Sequence, residues 1–208
     1  MRGSIIHELP KYHRYLGGKA GTDIGYPWLT LGAIVALEQY IFKTDPVPKR
    51  VLEFGSGGST IFFARRAEFV QSIETDRNWM PRTADAIRLH GLEDKVSLCL
   101  GTNPETEAFV GSLPDASFDL MLVDHAADET VVGRSARRSF SRKPLALLGL
   151  PKLQSNGWLV VDNYTLHGMQ SFDYTGWDVW LFDDMRYSGR GTLIARRSKV
   201  HDALRPKA

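Results

Sequence analysis

The stretch VLEFGSGGST, residues 51 to 60, puts a glutamate two positions ahead of a glycine cluster, at the end of a short apolar run. Glycine turns that close a strand let the backbone approach a ligand, and the usual ligand is a phosphate. Glu53 would repel a phosphate. The ligand expected here therefore needs a positively charged part for the carboxylate as well as a group that can lie against bare backbone.

Outward from this turn the chain alternates. RVLEF and FVQSIE are β-rich runs on either side of STIFFARRA, which has helical character, and strand, turn, helix, strand is the pattern of a parallel sheet. Upstream, PWLTLGAIVALEQYIFK carries Leu31, Ile34, Val35, Leu37 and Ile41 at helical spacing, which predicts a helix over about residues 30 to 43 with Thr30 as its cap. DPVPK ends it. Downstream, NWMPRTADAIRLHG has Pro81 near its start and Gly91 past its end, the asymmetry of a helix, and the strand KVSLCLG follows. PETEAFVGSL reads as a weaker helix, and FDLMLVD as a strand buried on both faces. An arginine-rich loop, a helix over KPLALLGL ending at Pro151, and the strand GWLVVD complete the alternation. WDVWLF and GTLIARR, joined by DDMRYSGR with its Gly189, read as a hairpin, so the last strand is expected antiparallel to its neighbour. The fold class expected is α/β: a doubly wound, mostly parallel, seven-stranded sheet. One domain is expected over 1–208, with an N-terminal helical lid segment at 1–45, a cofactor-binding core at 46–197 and a basic tail at 198–208.

Composition agrees with one globular unit. The 208 residues are 43% hydrophobic, enough to bury a full core, and there is no repeat, low-complexity tract or linker. The single cysteine, Cys99, lies in an apolar run and is expected to pack rather than react, which suits a reducing, cytoplasmic location. The first residues, MRGSIIHELP, are too polar for a secretory leader, and no window approaches the roughly 20 apolar residues of a membrane span. The formal charge of +2 is too small to argue for nucleic acid. Basic residues do crowd one segment, with Arg134, Arg137, Arg138, Arg142 and Lys143, and the reading favoured for it is a solvated face.

The strand ends are where ligands bind in open α/β sheets, and here they are acidic: Glu53, Glu74, Asp124 and Asp162 close four of the strands. Carboxylates gathered at one edge repel one another unless a cation, metal or diol shares the site, since like charges at about 4 Å cost about 4 kcal/mol at an effective dielectric near 20. A dinucleotide is one alternative, because GSGGST follows a strand and Glu74 lies about 20 residues on. The fit is imperfect: the third glycine of that fingerprint is Thr60 here, and pyrophosphate has no use for Glu53. A ligand with a sulfonium, an α-ammonium and a ribose but no phosphate gives each feature a role. The glycines permit close approach, the helix start after Ser59 offers N–H groups to a carboxylate, and Glu74 can take the ribose hydroxyls. That ligand is S-adenosylmethionine.

From about residue 26 to residue 197 the chain resembles the class I S-adenosylmethionine-dependent methyltransferases. VLEFGSGGST is similar to that family's first motif, an acid two residues before G-x-G-x-G, with Ser59 in place of the last glycine. The resemblance implies that Glu53, Gly55, Ser56, Gly57, Gly58, Ser59, Thr60 and Asp124 line the cofactor, that Glu74 with Thr75 binds the ribose, that Asp124 and His125 are the catalytic candidates, and that the LGTN turn lies near the adenine. It also implies a seventh strand that runs antiparallel. FDLMLVDH and GWLVVDN resemble the catechol-type, magnesium-dependent O-methyltransferases, which implies that Asp124, Asp162 and Asn163 hold Mg2+. That family's lysine three residues after the first Asp is Ala127 here, which leaves His125 beside Asp124 as the nearest base, with His167 weaker. No Asn/Asp-Pro-Pro-aromatic run follows the fourth strand, as base-modifying enzymes have, and Cys99 is misplaced for a cytosine enzyme. A fuller likeness, through YPWLT, EFGSGGST, SIETDRNW and VVDN, is to a set of bacterial methyltransferase-like proteins. In that set Tyr26, Pro27 and Trp28 would be part of a lid, or else an aromatic entrance to the helix packed on the core. The expected activity is O-methylation of a small molecule or glycan, with an anionic acceptor held by the Arg134 to Lys143 cluster as one version. The alternatives are a binder of the same cofactor without turnover and an NAD-linked oxidoreductase.

Overall fold

The computed structural model describes residues 25–101, 103–125, 142–165, 168–183 and 191–197. Seven strands form one sheet: β1 (Arg50–Phe54), β2 (Phe69–Glu74), β3 (Val96–Leu100), β4 (Phe118–Val123), β5 (Leu153–Asp162), β6 (Trp177–Phe182) and β7 (Thr192–Arg197). Their order is β3-β2-β1-β4-β5-β7-β6. The first five strands pair in parallel, and β7 runs antiparallel to both β5 and β6. The expected doubly wound sheet and reversed last strand are both present. β7 enters between β5 and β6, so the hairpin partner β6 becomes the edge.

The period of two along each strand divides the core. Val51, Val70, Leu120, Leu122, Val160 and Ile194 face one side of the sheet, where α1 (Leu31–Ala36), α2 (Gly58–Ala64) and α3 (Met80–Leu89) cover them. Leu52, Phe54, Met121, Val123, Leu159, Val161 and Leu193 face the other, under α4 (Asn103–Ser112) and α5 (Arg142–Gly149). Gly149 lets α5 come this close: a Cβ there would lie 2.2 Å from Met121 Sδ. β6 is largely exposed in its middle, where Trp180 packs on Trp158 with ring centroids 5.7 Å apart, while Trp177 and Phe182 at its ends pack against the core.

Two local readings need correction. The helix expected over 30 to 43 is α-helical only from Leu31 to Ala36 and continues as a π turn over Leu37–Ile41, with Phe42 N–H donating to Leu37 O at 2.9 Å. The wider turn holds Glu38, which ion-pairs with Arg66. Thr30 does not cap through its side chain; its N–H instead donates to Thr192 Oγ1 at 3.0 Å, tying the start of α1 to β7. Likewise α2 begins at Gly58, one residue before the expected start, with Gly57 at the cap position. Pro151 ends α5 as expected, through a short 3-10 turn over Leu150–Lys152.

Candidate functional site

The register brings the strand ends together. Glu53 is paired with Ser72 across β1 and β2, Phe54 with Val123 across β1 and β4, and Val123 with Val161 across β4 and β5. Glu53, Glu74, Asp124 and Asp162 therefore share the carboxyl edge of the sheet, around the β1–β4 boundary where the strand order reverses, the place where such sheets bind ligands. The turn that opens this edge depends on Gly55. Its φ is +95°, and a Cβ there would lie 2.4 Å from the Asp124 carbonyl oxygen.

Glu53 is fully buried under the glycine loop. Its Oε2 accepts from Thr60 Oγ1 at 2.5 Å and from Ser72 Oγ at 2.6 Å, while Thr60 Oγ1 accepts from Gly57 N–H at 2.9 Å. Thr60 thus couples the carboxylate to the backbone of the loop, the half of a capping box that a glycine N-cap permits. Oε1 has no hydrogen-bond partner among the described residues. Burial pushes the Glu53 carboxyl up to about 7, against the pull of the Ser59, Ser72 and Thr60 hydroxyls, and the Glu74 charge adds to the rise. An unpaired buried carboxylate oxygen is costly, and a cationic donor is the group that would relieve it.

Glu74 holds the other part of the loop. Its Oε2 accepts from Ser56 N–H at 3.0 Å and Ser56 Oγ–H at 2.7 Å, and its Oε1 from the N–H groups of Thr75 at 2.8 Å and Asp76 at 2.9 Å. These four bonds fill the carboxylate, so a ribose hydroxyl reaching Glu74 must share it with Ser56. The turn after β3 touches Glu74 through Gly101 N–H, 2.9 Å from its carbonyl oxygen. Thr102 lies outside the described residues.

Two aromatic side chains stand beside the loop. Trp79 Nε1–H donates to Ser56 O at 2.8 Å, and Trp28, 56% exposed, packs against Trp79 with centroids 6.1 Å apart. Tyr26 instead packs on Phe62 of the core, centroids 6.0 Å apart. The YPW segment is thus divided: Trp28 packs on Trp79, whose ring bonds the loop, and half-buried Tyr26 packs against the core.

At the ends of β4 and β5 the structure places a residue that the sequence did not single out. Arg142, the first residue of α5, is buried, with its guanidinium between two carboxylates. Nη2 lies 2.9 Å from Asp124 Oδ1, Nη1 lies 3.4 Å from Asp162 Oδ2, and Nη1 also donates to the Asp162 carbonyl oxygen. Thr192 Oγ1 completes the surroundings by donating to Asp162 Oδ1 at 3.3 Å. Burial pushes the Asp124 carboxyl well above its ordinary range, Asp162 adds to this, and Arg142 opposes both. Burial raises Asp162 too, against Arg142. The reading of this basic segment as a solvated face fails for Arg142. Lys143, its neighbour, donates to Ser171 O at 2.7 Å. Arg134, Arg137, Arg138, Ala127 and His167 lie outside the described residues.

The donor set does not fit a divalent ion. No group of three His, Cys, Asp or Glu side chains among the described residues is arranged to hold one, and the oxygens proposed for Mg2+ already face Arg142. A divalent charge about 4 Å from a guanidinium adds about 8 kcal/mol of repulsion at an effective dielectric of 20. Asn163 follows Asp162 with a φ of 49°, a left-handed conformation that asparagine tolerates. His125 is buried, its Nε2 3.2 Å from Thr75 Oγ1, and burial lowers its pKa, so the ring is neutral at pH 7. Cys99 accepts from Gln71 Nε2 at 3.7 Å, and burial pushes its thiol up, which disfavours the thiolate a nucleophile needs.

Arg142, Ser72, Trp79 and Thr192 are the members of the site that sequence reasoning missed. Trp79 was within reach, five residues past Glu74 in a quoted motif. Arg142 was one of five basic residues, with nothing in the local sequence to separate it from the rest.

No family model matches the chain, and no curated protein matches it. Solved structures do. An O-methyltransferase from Bacillus cereus, in complex with S-adenosylhomocysteine, is 14% identical with a TM-score of 0.63, covering 95% of this chain and 92% of its own. The O-methyltransferase TomG from Streptomyces achromogenes, involved in tomaymycin synthesis and in complex with S-adenosylmethionine, is 14% identical with a TM-score of 0.58, covering 95% and 91%. A methyltransferase from Geobacter sulfurreducens is 17% identical with a TM-score of 0.55, covering 95% and 90%. The fold is the Rossmann-like fold of these methyltransferases. At such identities the likeness establishes architecture, and the chemistry has to come from the site.

Proposed function

We propose that the protein is an S-adenosylmethionine-dependent methyltransferase acting on an oxygen of a small molecule or glycan. The observation that carries the reading is the pair of acids clamped to one glycine loop, Glu53 through Thr60 and Glu74 through Ser56, in a sheet ordered β3-β2-β1-β4-β5-β7-β6. An NAD-binding sheet of the doubly wound type has six parallel strands and no reversed strand inserted beside the fifth. The residues present fit the cofactor at its cationic end, because Glu53 Oε1 is a buried acceptor with no donor among the described residues. Glu53 and the loop from Gly55 to Thr60 would hold the amino-acid arm, with Glu74 and Thr75 toward the ribose. When bound, the cofactor supplies a methyl group on a sulfonium, transferred by in-line displacement.

The chain's own task is to position the acceptor at about 3 to 3.5 Å from that methyl and to exclude water. Asp124 and His125 follow β4 at the edge next to the loop, since Asp124 N–H donates to Phe54 O at 2.9 Å. His125, neutral and linked to Thr75, is a base available at pH 7. Among the described residues no helix is long and apolar enough to cross a membrane. Calorimetry with S-adenosylhomocysteine and with NAD+ tests the reading. Binding of the first alone supports it, and binding of NAD+ alone refutes it. Labelled cofactor offered with a panel of hydroxylated acceptors separates an enzyme, which gives methylated product, from a binder without turnover.

A further inference from the structure

We propose that the Arg142 guanidinium is the resident cation of the edge formed by β4 and β5, so that this protein transfers methyl groups without a divalent metal. The inference deepens the function proposed above and rests on it only for the word methyl; the exclusion of the metal stands on Arg142 itself.

A hard cation at this edge would draw on Asp124 Oδ1, Asp162 Oδ2 and the Asp162 carbonyl oxygen, all at about 2.0 to 2.6 Å. The guanidinium touches each of those three oxygens. Metal and guanidinium therefore compete for one place. Arginine cannot vacate it by losing its proton. Nor does it stand in solvent: its side chain is 7% exposed, and it is the first residue of a helix whose Ala146 and Gly149 are buried against the sheet. The planar fork also does what a metal would do structurally, holding two carboxylates from different strands at a fixed spacing, a task for which lysine lacks the geometry. Arg142 is thus a positioning residue.

The exchange changes what the site can select. A divalent ion with open coordination positions grips two adjacent oxygens of an acceptor at once. Of the five guanidinium N–H donors, three are spent on Asp124 and Asp162, and the Nε–H has no partner among the described residues. A guanidinium has no open coordination position to offer, so the acceptor class that matches is one that does not need to chelate through a vicinal pair of oxygens.

The test is a Mn2+ titration of the full chain followed by electron paramagnetic resonance, with S-adenosylhomocysteine calorimetry on the same samples. Wild type is expected to show no saturable Mn2+ site, and its turnover to be unchanged by EDTA or added Mg2+. Arg142→Ser is expected to gain a saturable site that Arg142→Ser combined with Asp162→Asn loses again. A saturable Mn2+ site in wild type that Asp124→Asn removes, or turnover abolished by EDTA and restored by Mg2+, overturns the proposal. A folded Arg142→Ser protein that binds no Mn2+ overturns the claim that the guanidinium keeps the ion out. Should Arg142→Ser fail to fold by circular dichroism, the wild-type titration and the Arg142→Lys variant decide alone, since a retained single charge must still exclude Mn2+. Absence of S-adenosylhomocysteine binding with Mn2+ also excluded would sink the methyltransferase reading and leave the cation assignment standing.

Discussion

Replacing Glu53 with glutamine separates what the buried carboxylate costs the fold from what it gives the site. The displacement of its pKa from 4.5 to about 7 corresponds, at roughly 1.36 kcal/mol per pH unit, to about 3 kcal/mol. The sign follows from proton binding. Between those two values the folded protein keeps the proton and the unfolded chain has lost it, so stability falls as pH rises and levels off above about 7. Glutamine does not titrate, so the stability of Glu53→Gln relative to wild type should rise by about 2.5 kcal/mol between pH 5 and pH 8, other groups cancelling in the difference. Urea unfolding of both proteins at pH 5, 6, 7 and 8 measures this directly. Over the same range the variant should bind S-adenosylhomocysteine about 10 to 150 times more weakly at pH 8, the loss of one hydrogen bond to a charged group worth about 1.5 to 3 kcal/mol. A stability difference that is flat with pH would refute the buried, proton-holding carboxyl. Full affinity in the variant would refute the assignment of Oε1 to the cofactor's ammonium.

Three further outcomes follow from the same geometry. Gly55→Ala adds a Cβ 2.4 Å from the Asp124 carbonyl at a φ of +95°, so it should destabilise the protein by at least about 2 kcal/mol and lower cofactor affinity; wild-type behaviour in both assays would show that the turn is not constrained. His125, its pKa lowered by burial, should titrate below 6.5 by NMR, and the stability it contributes should be lost as pH falls from 6.5 toward that midpoint; a midpoint above 6.5 contradicts the buried neutral ring. Trp79→Phe keeps the ring but removes the bond to Ser56 O, about 1 kcal/mol, so S-adenosylhomocysteine should bind about fivefold more weakly; unchanged calorimetry would mean the loop does not need it.

The architecture was legible along the chain because it is written in local periods. Apolar runs such as FDLMLVD, a proline and a glycine bracketing α3, and glycines between strand and helix at residues 55 to 58 each reflect a constraint felt within a few residues. The acids at the strand ends were legible for the same reason, since a parallel sheet delivers every such residue to one edge. What the period cannot carry is the partner chosen across space. Glu53 and Glu74 were expected to wait for a ligand, yet Thr60, Ser72 and Ser56 engage them first, because buried carboxylates must be satisfied by whatever hydroxyls and N–H groups the packing brings near. Arg142 lies 18 positions beyond Asp124 and 20 before Asp162, and only the docking of α5 on β4 and β5 drops its guanidinium between them. The sequence by itself determined the sheet, its reversed last strand and the ring of negative charge at its edge; tertiary structure alone decided which cation answers that charge, because an electrostatic partner is selected by distance in space and leaves no period in the chain.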